Sequence, residues 1–169
     1  LATLALVVNF WAWSLLSPIG AQYARELSLN PAQLSLLLAV PVIIGSLGRI
    51  IFGVLTDKIG GRAGFIAVSL ITALPVFALS LCDDYSSLVT VAILLGTGGA
   101  AFVIGVPFIS AWFPPEKRGA MIGLYSMGNA GTALSGLITP SLSQSIGRDQ
   151  TYILVGSLLI AVAALMYKF

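Results

Sequence analysis

Six apolar runs, joined by short links, fill this chain from end to end: residues 2–24, 32–56, 63–82, 87–112, 119–143 and 151–168. A bilayer core of about 30 Å takes roughly 20 residues of helix to cross. In hydrocarbon every backbone N–H and C=O must find a partner within the protein, so runs of this length are helices. The links are too short for anything but antiparallel neighbours. The predicted fold class is therefore an all-α membrane protein of six transmembrane helices. A soluble helical bundle is excluded by charge: soluble helices keep a polar face, whereas only 8% of this chain is charged and 58% is hydrophobic. A signal peptide is excluded as well, because the first run has no basic leader and no small-residue cleavage site before the next span.

The same arithmetic removes several classes of function. Eight basic and six acidic side chains give a net charge of +2, too few to track a phosphate backbone, so no nucleic-acid partner is expected. With no histidine and a single cysteine, Cys82, most metal sites, histidine-based triads and disulfide frameworks drop out together. An intramembrane serine protease would need a histidine beside Ser46. No enzyme activity, cofactor or metal is expected. The chain begins at Leu1 and stops inside an apolar run at Phe169, and it reads as a piece of something longer.

Lysine and arginine placement sets direction. Lys58 and Arg62 lie in the link between spans 2 and 3, Lys117 and Arg118 between spans 4 and 5, and Lys168 at the end; only Arg25 and Arg148 lie on the other side. The first group is expected in the cytoplasm, which puts both chain ends there. The expected location is a bacterial inner (plasma) membrane, crossed several times.

Arg49 is the one charge well inside a span. It stands eight residues before Asp57, about 12 Å at 1.5 Å per residue. An arginine at that depth costs about 2.5–3.5 kcal/mol on insertion scales, and such residues usually face a polar cavity. Its planar fork of donors matches a planar oxyanion. No Asp, Glu or His lies inside any span to neutralise it. A mobile anion is the expected partner. The alternative is structural, with Arg49 capping carbonyls or pairing with an acid outside this chain. The acid-free spans also leave no side chain here to relay protons.

Glycines cluster in spans 2, 4 and 5, where small residues let helix backbones approach closely. At an offset of 86 residues Gly45 meets Gly131, and Gly61–Arg62 meets Gly147–Arg148. Three spans repeated upside down is the unit nested in each half of a major-facilitator transporter. The stretch Gly53-Val-Leu-Thr-Asp57-Lys58-Ile-Gly60-Gly61-Arg62 resembles the signature loop between spans 2 and 3 of that superfamily, with one extra glycine. Asp57 there can sit against a helix N-terminus.

Three further stretches resemble the nitrate/nitrite porter family: Pro41 to Arg49, Gly96-Thr-Gly-Gly99-Ala-Ala-Phe102, and Phe113-Pro-Pro-Glu-Lys-Arg-Gly119 followed by Gly128-Asn129-Ala-Gly131. The resemblance covers the whole chain as the amino-terminal half of a twelve-span porter, with the carboxy-terminal half absent. It implies a 3+3 inverted repeat and specific roles. Arg49 grips the anion, Asn129 hydrogen-bonds it, and Phe102 with Phe10 walls the site. Gly99, Gly128 and Gly131 match signature glycines. The match at Phe10 rests on the short run Asn9-Phe10-Trp11-Ala12-Trp13, so Trp11 or Trp13 are alternative walls. Tyr125 and Ser126 depart from the glycine-rich pattern. The expected function is nitrate/nitrite uptake or exchange by alternating access. A porter for cyanate, formate or a monocarboxylate is the same-class rival, and a six-helix scaffold or sensor is the rival from another class.

Overall fold

A computed structural model describes residues 1–169. It contains nine α-helices, three short 3₁₀ segments and no strand. These join into six rods. Span 1 is α1 (Ala2–Trp13) and α2 (Leu16–Glu26); span 2 is α3 (Pro31–Ile59); span 3 is α4 (Gly61–Ala78) with a 3₁₀ turn, Leu79–Leu81. Span 4 is α5 (Tyr85–Leu95), a 3₁₀ stretch Gly96–Ala100 and α6 (Ala101–Trp112). Span 5 is α7 (Pro115–Ser126), a 3₁₀ turn Met127–Asn129 and α8 (Ala130–Ser145), and span 6 is α9 (Arg148–Lys168).

Five of the six rods are long and apolar enough to cross a membrane by length and composition. The exception is span 5. It has the length, but Glu116, Lys117 and Arg118 occupy its first turn and Ser126, Asn129, Thr132, Ser135 and Thr139 punctuate the rest. Of these polar residues Ser135 and Thr139 are buried, and Thr139 accepts from Trp11 of span 1.

Local chemistry sets the ends. Asn30 and Gln33 form a reciprocal capping box at the start of α3, with side chain-to-amide bonds of 2.9 and 3.0 Å, and Pro31 follows at the first helical position. Asp84 accepts from the Ser86 and Ser87 amides at the start of α5. The links after spans 2 and 5 both turn on a glycine of positive φ: Gly60 at φ 83°, ψ 155° and Gly147 at φ 92°, ψ 157°. The structure thus equates Gly60, rather than Gly61, with Gly147. The offset in this link is 87, one more than the 86 that matches Gly45 with Gly131 in the sequence. The extra glycine of the signature stretch has its own reason, since a Cβ on Gly61 would lie 2.6 Å from the Phe108 Cβ.

Span 3 runs along span 6, span 2 lies on span 4, and span 5 lies on span 1. Advancing every span by three turns the second pairing into the third and returns the first to itself. This is the packing a repeated three-helix unit requires. At the end away from the Asp57–Arg62 link, Arg148 pairs with Glu26 and stacks over the Tyr23 ring at 4.6 Å, while the Tyr23 and Tyr152 hydroxyls meet at 2.7 Å. Spans 1 and 6 are tied together there.

Spans 1 and 5 cross so closely that a Cβ on Gly131 would lie 2.1 Å from the Val7 carbonyl oxygen, whereas one on Gly136 would meet nothing within 4 Å. Gly131→Ala is expected to cost about 1–3 kcal/mol through overpacking against backbone, and Gly136→Ala to be neutral, as read by thermal unfolding in detergent. Hydrogen bonding from Ser87, then from the Ser86 amide, holds the Asp84 carboxyl below the usual carboxylate range. A depressed pKa means the cap is intact above that range and fails as pH falls through the native value. Amide exchange at Ser86 and Ser87, corrected for intrinsic rates, is expected to quicken on acidification, and no longer to do so in Asp84→Asn.

Candidate functional site

The site forms where three rods lose α-helical regularity near one level. Span 1 breaks at Ser14–Leu15, span 4 tightens to 3₁₀ over Gly96–Ala100, and span 5 does so over Met127–Asn129. Such mid-helix 3₁₀ stretches mark hinges or strained sequence. Here they coincide with close helix crossings at Gly96, Gly98, Gly99 and Gly128. Trp13 is wedged among them. Its indole Nε1 donates to the Pro41 carbonyl at 2.9 Å, and a Cβ on Gly99 would lie 2.9 Å from its ring. Gly45 closes the same corner, since a Cβ there would meet the Gly96 carbonyl oxygen at 2.9 Å and the Trp13 nitrogen at 3.0 Å.

Arg49 is half-buried beside this wedge. Its Nε donates to the Gly99 carbonyl at 3.4 Å, a long bond. It has no carboxylate partner; the one ion pair in the structure is Arg148–Glu26. The carbonyl contact is the structural role weighed for Arg49 above, but it engages one of the five N–H donors a guanidinium carries. The remaining charge is unbalanced.

The four residues expected at the site fall into three places. Phe102 is half-buried and stacks on Tyr125, ring centroids 5.9 Å apart at 30°. Asn129 is exposed on the 3₁₀ turn of span 5, and its amide donates to the Ser126 carbonyl at 2.7 Å. Phe10 is 3% exposed. It leans on Trp13 at 5.2 Å and presses against Gly131 from behind. Trp11 is buried and donates to Thr139 at 2.9 Å. Of the three aromatics in that run, Trp13 is therefore the one presented to open space, and Phe10 backs it.

Trp13, Ser14, Leu16, Ser17, Leu38, Pro41, Val42 and Thr132 border a cleft of about 230 Å³ between spans 1, 2 and 5, and none of Arg49, Asn129, Phe102 and Phe10 lines it. It continues into a groove of about 390 Å³ lined by Ser14, Ser17, Pro18, Thr132, Gly136 and Pro140. Its walls are hydroxyls, prolines and a glycine. Thr132 stands one turn beyond Asn129 and donates to its carbonyl at 2.9 Å. Gly99 thus touches Arg49 through its carbonyl and Trp13 through its α-carbon, and Trp13 faces the cleft.

In the signature stretch Asp57 is exposed in the last turn of α3 and forms no ion pair. The helix N-terminus expected to meet it is instead begun by the Gly60 backbone, with no side-chain cap. Lys58 is exposed, Gly53 is half-buried, and Arg62 donates to the Phe169 carbonyl. Gly128 sits against Leu6, where a Cβ would lie 2.7 Å away.

Two residues matter more than their sequence context suggests. Tyr125 is inserted over Gly105, where a Cβ would fall 2.0 Å from its ring, and its hydroxyl donates to the Ala101 carbonyl at 2.7 Å. It is the pillar behind Phe102, and the tyrosine-glycine pair is the signal that points to it. Asn9 is fully buried and donates to Ala5 and Ser69, both at 2.9 Å, leaving its Oδ1 without a partner. It ties span 1 to span 3. An asparagine inside an apolar run was the available signal.

Tyr125→Phe keeps the stack and loses the hydroxyl bond, an expected cost of about 1 kcal/mol. Tyr125→Ala is expected to cost about 3–5 kcal/mol by opening a cavity, and equal thermal midpoints for the two variants would refute the pillar role.

Comparison with known proteins agrees with this architecture. The family model described as Major Facilitator Superfamily matches residues 2–169. The chain is 44% identical over 166 residues to a probable nitrate/nitrite transporter, NarK2, of Mycobacterium tuberculosis, covering 96% of this chain and 42% of that protein. It is 40% identical over 163 residues to a probable nitrate transporter, NarT, of Staphylococcus haemolyticus, with the same coverages. Among solved structures, a bacterial homolog of the human lysosomal transporter Spinster, inward-facing and occupied, superposes with a TM-score of 0.84 over 98% of this chain and 42% of its own, at 20% identity; that likeness speaks for the fold. The chain spans less than half the length of each of these relatives, and they are named as transporters, not enzymes. It is a six-helix, integral membrane half of a transporter fold that resembles the nitrate/nitrite porters, and it belongs to the Major Facilitator Superfamily.

Proposed function

We propose that the chain is the amino-terminal half of a nitrate/nitrite transporter and that Arg49 grips the anion. The observation that carries this reading is an arginine deep in the membrane with one long carbonyl contact and no acid beside it. An unpaired intramembrane charge is a functional site by default. Nitrate is planar, monovalent and unprotonated at cell pH, so a fixed guanidinium fork suits it. The relatives' names supply the substrate class.

In this reading Trp13, backed by Phe10, and Phe102, backed by Tyr125, form aromatic walls. Asn129 offers its second N–H as a neutral donor. The groove along Ser14, Ser17 and Thr132 lets the anion pass without binding tightly, since it carries no charge of its own. Alternating access uses the 3₁₀ breaks as bending points and rocks this half against a carboxy-terminal six-helix partner. The signature stretch Gly53–Arg62 lies on the cytoplasmic side, with both chain ends, in a bacterial inner membrane.

The test uses the complete gene product in liposomes. Labelled nitrate and nitrite are expected to exchange across the bilayer. Arg49→Lys keeps the charge and removes the fork, and it is expected to lower exchange at least tenfold, a loss of about 1.4 kcal/mol or more. Uptake of formate or cyanate in place of both anions would transfer the assignment to another monoanion. Unchanged exchange in Arg49→Lys would remove Arg49 from the site.

A further inference from the structure

One cleft lies apart from the hydroxyl-lined groove, on the flank made by spans 3 and 6. It measures about 300 Å³ and is lined by Ile66, Leu70, Ile160, Ala163, Ala164 and Tyr167. None of these residues belongs to the Arg49 site. Leu70 and Ile160 are 43% and 46% exposed. Ala163 and Ala164 are small and leave the floor open.

The two walls carry the same signal at the same end. Arg62, Ile66 and Leu70 follow at spacings of four on α4, so one helix face runs from a guanidinium into the cleft. Ile160, Ala164 and Lys168 do the same on α9. The helices are antiparallel, so Arg62 at the start of one meets Lys168 at the end of the other. Arg62 donates to the Phe169 carbonyl, and the Lys168 ammonium lies 5.4 Å from the Phe169 ring. Asp57 and Glu116 share this end of the bundle, yet neither pairs with these cations. An apolar trough about 12 Å long at the helical rise therefore ends on two exposed positive charges that no carboxylate within residues 1–169 pairs with.

We infer that this flank seats one anionic phospholipid. One acyl chain lies in the trough along Leu70 and Ile160, and the phosphate rests between Arg62 and Lys168. A neutral lipid would fill the trough equally well but would leave both cations without a counter-charge. Basic residues at the membrane surface favour anionic headgroups for that reason. The inference stands apart from the anion-transport reading, since it uses no residue of the Arg49 site.

The test reconstitutes the complete gene product in vesicles doped with phosphatidylglycerol or phosphatidylcholine carrying the same diazirine-bearing acyl chain. Labelled residues are mapped by peptide mass spectrometry after irradiation. Phosphatidylglycerol is expected to label the 66–70 and 160–167 segments well above phosphatidylcholine, by about fivefold per cation engaged. Lys168→Gln is expected to reduce that excess, and Ala164→Phe, which fills the floor, to abolish labelling by both lipids. Both positions are exposed; wild-type thermal midpoints confirm folding, and Ala164→Leu replaces the phenylalanine variant if its midpoint falls. Equal labelling by the two lipids, or labelling unchanged in both variants, overturns the assignment.

Discussion

Span 1 passes between spans 4 and 5 at backbone contact distance, and the rest of the bundle is arranged around that passage. Lipid tails are as apolar as leucine, so helices in a membrane gain little from burying apolar surface against one another. They associate through close packing and interhelical hydrogen bonds. Gly128 and Gly131 give span 1 its seat on span 5, and Gly98 and Gly99 give it a seat on span 4. Each lacks a side chain where a neighbouring atom already stands. Polar groups complete the join, with Trp13 on the Pro41 carbonyl, Trp11 on Thr139 and Asn9 on Ser69. The 3₁₀ stretches fall at these crossings. The breaks in helical regularity and the aromatic wedge of Trp13 and Phe10 therefore share the same few residues.

The two half-buried arginines show how differently one side chain can be used. Arg148 has a carboxylate and an aromatic face to hold, and it clips span 1 to span 6. Arg49 has a single carbonyl at 3.4 Å. Both cost desolvation, and only one has that cost offset within the chain. The difference assigns a structural role to the first and leaves the second open to a ligand.

Much of the fold was legible from residue order. The six runs could be read directly; the capping box at Asn30, the cap at Asp84 and the positive-φ glycines are local events too, decided by neighbours a few residues away, but they were seen only in the structure. The repeat was legible too, with a one-residue slip, because backbone conformation places Gly60 opposite Gly147 and the letters alone matched Gly61. The breaks within spans 1, 4 and 5 were not legible. An apolar window looks continuous whether its hydrogen bonds run i→i+4 or i→i+3, and the tightened turns stand where helices from other parts of the chain cross. Asp57 stands exposed, and the next helix starts on the Gly60 backbone without a side-chain cap.

The sequence by itself determined that this chain crosses a membrane as helices, that Arg49 lies deep within it, and that its glycines pack helices together. Hydrophobic length, charge depth and side-chain size are properties of single residues and short windows, so they need no coordinates. Only the tertiary structure decided which aromatic faces the cleft. Phe10, Trp11 and Trp13 sit within four residues of each other, and a helix turns about 100° per residue. Their surroundings differ because Gly131, Thr139 and Gly99 come from other spans. The same holds for Tyr125 behind Phe102, and for Lys168 beside Arg62, more than a hundred residues away. Long-range packing in a bilayer is set by which small residues happen to face which large ones, and that pairing exists only once the helices have met.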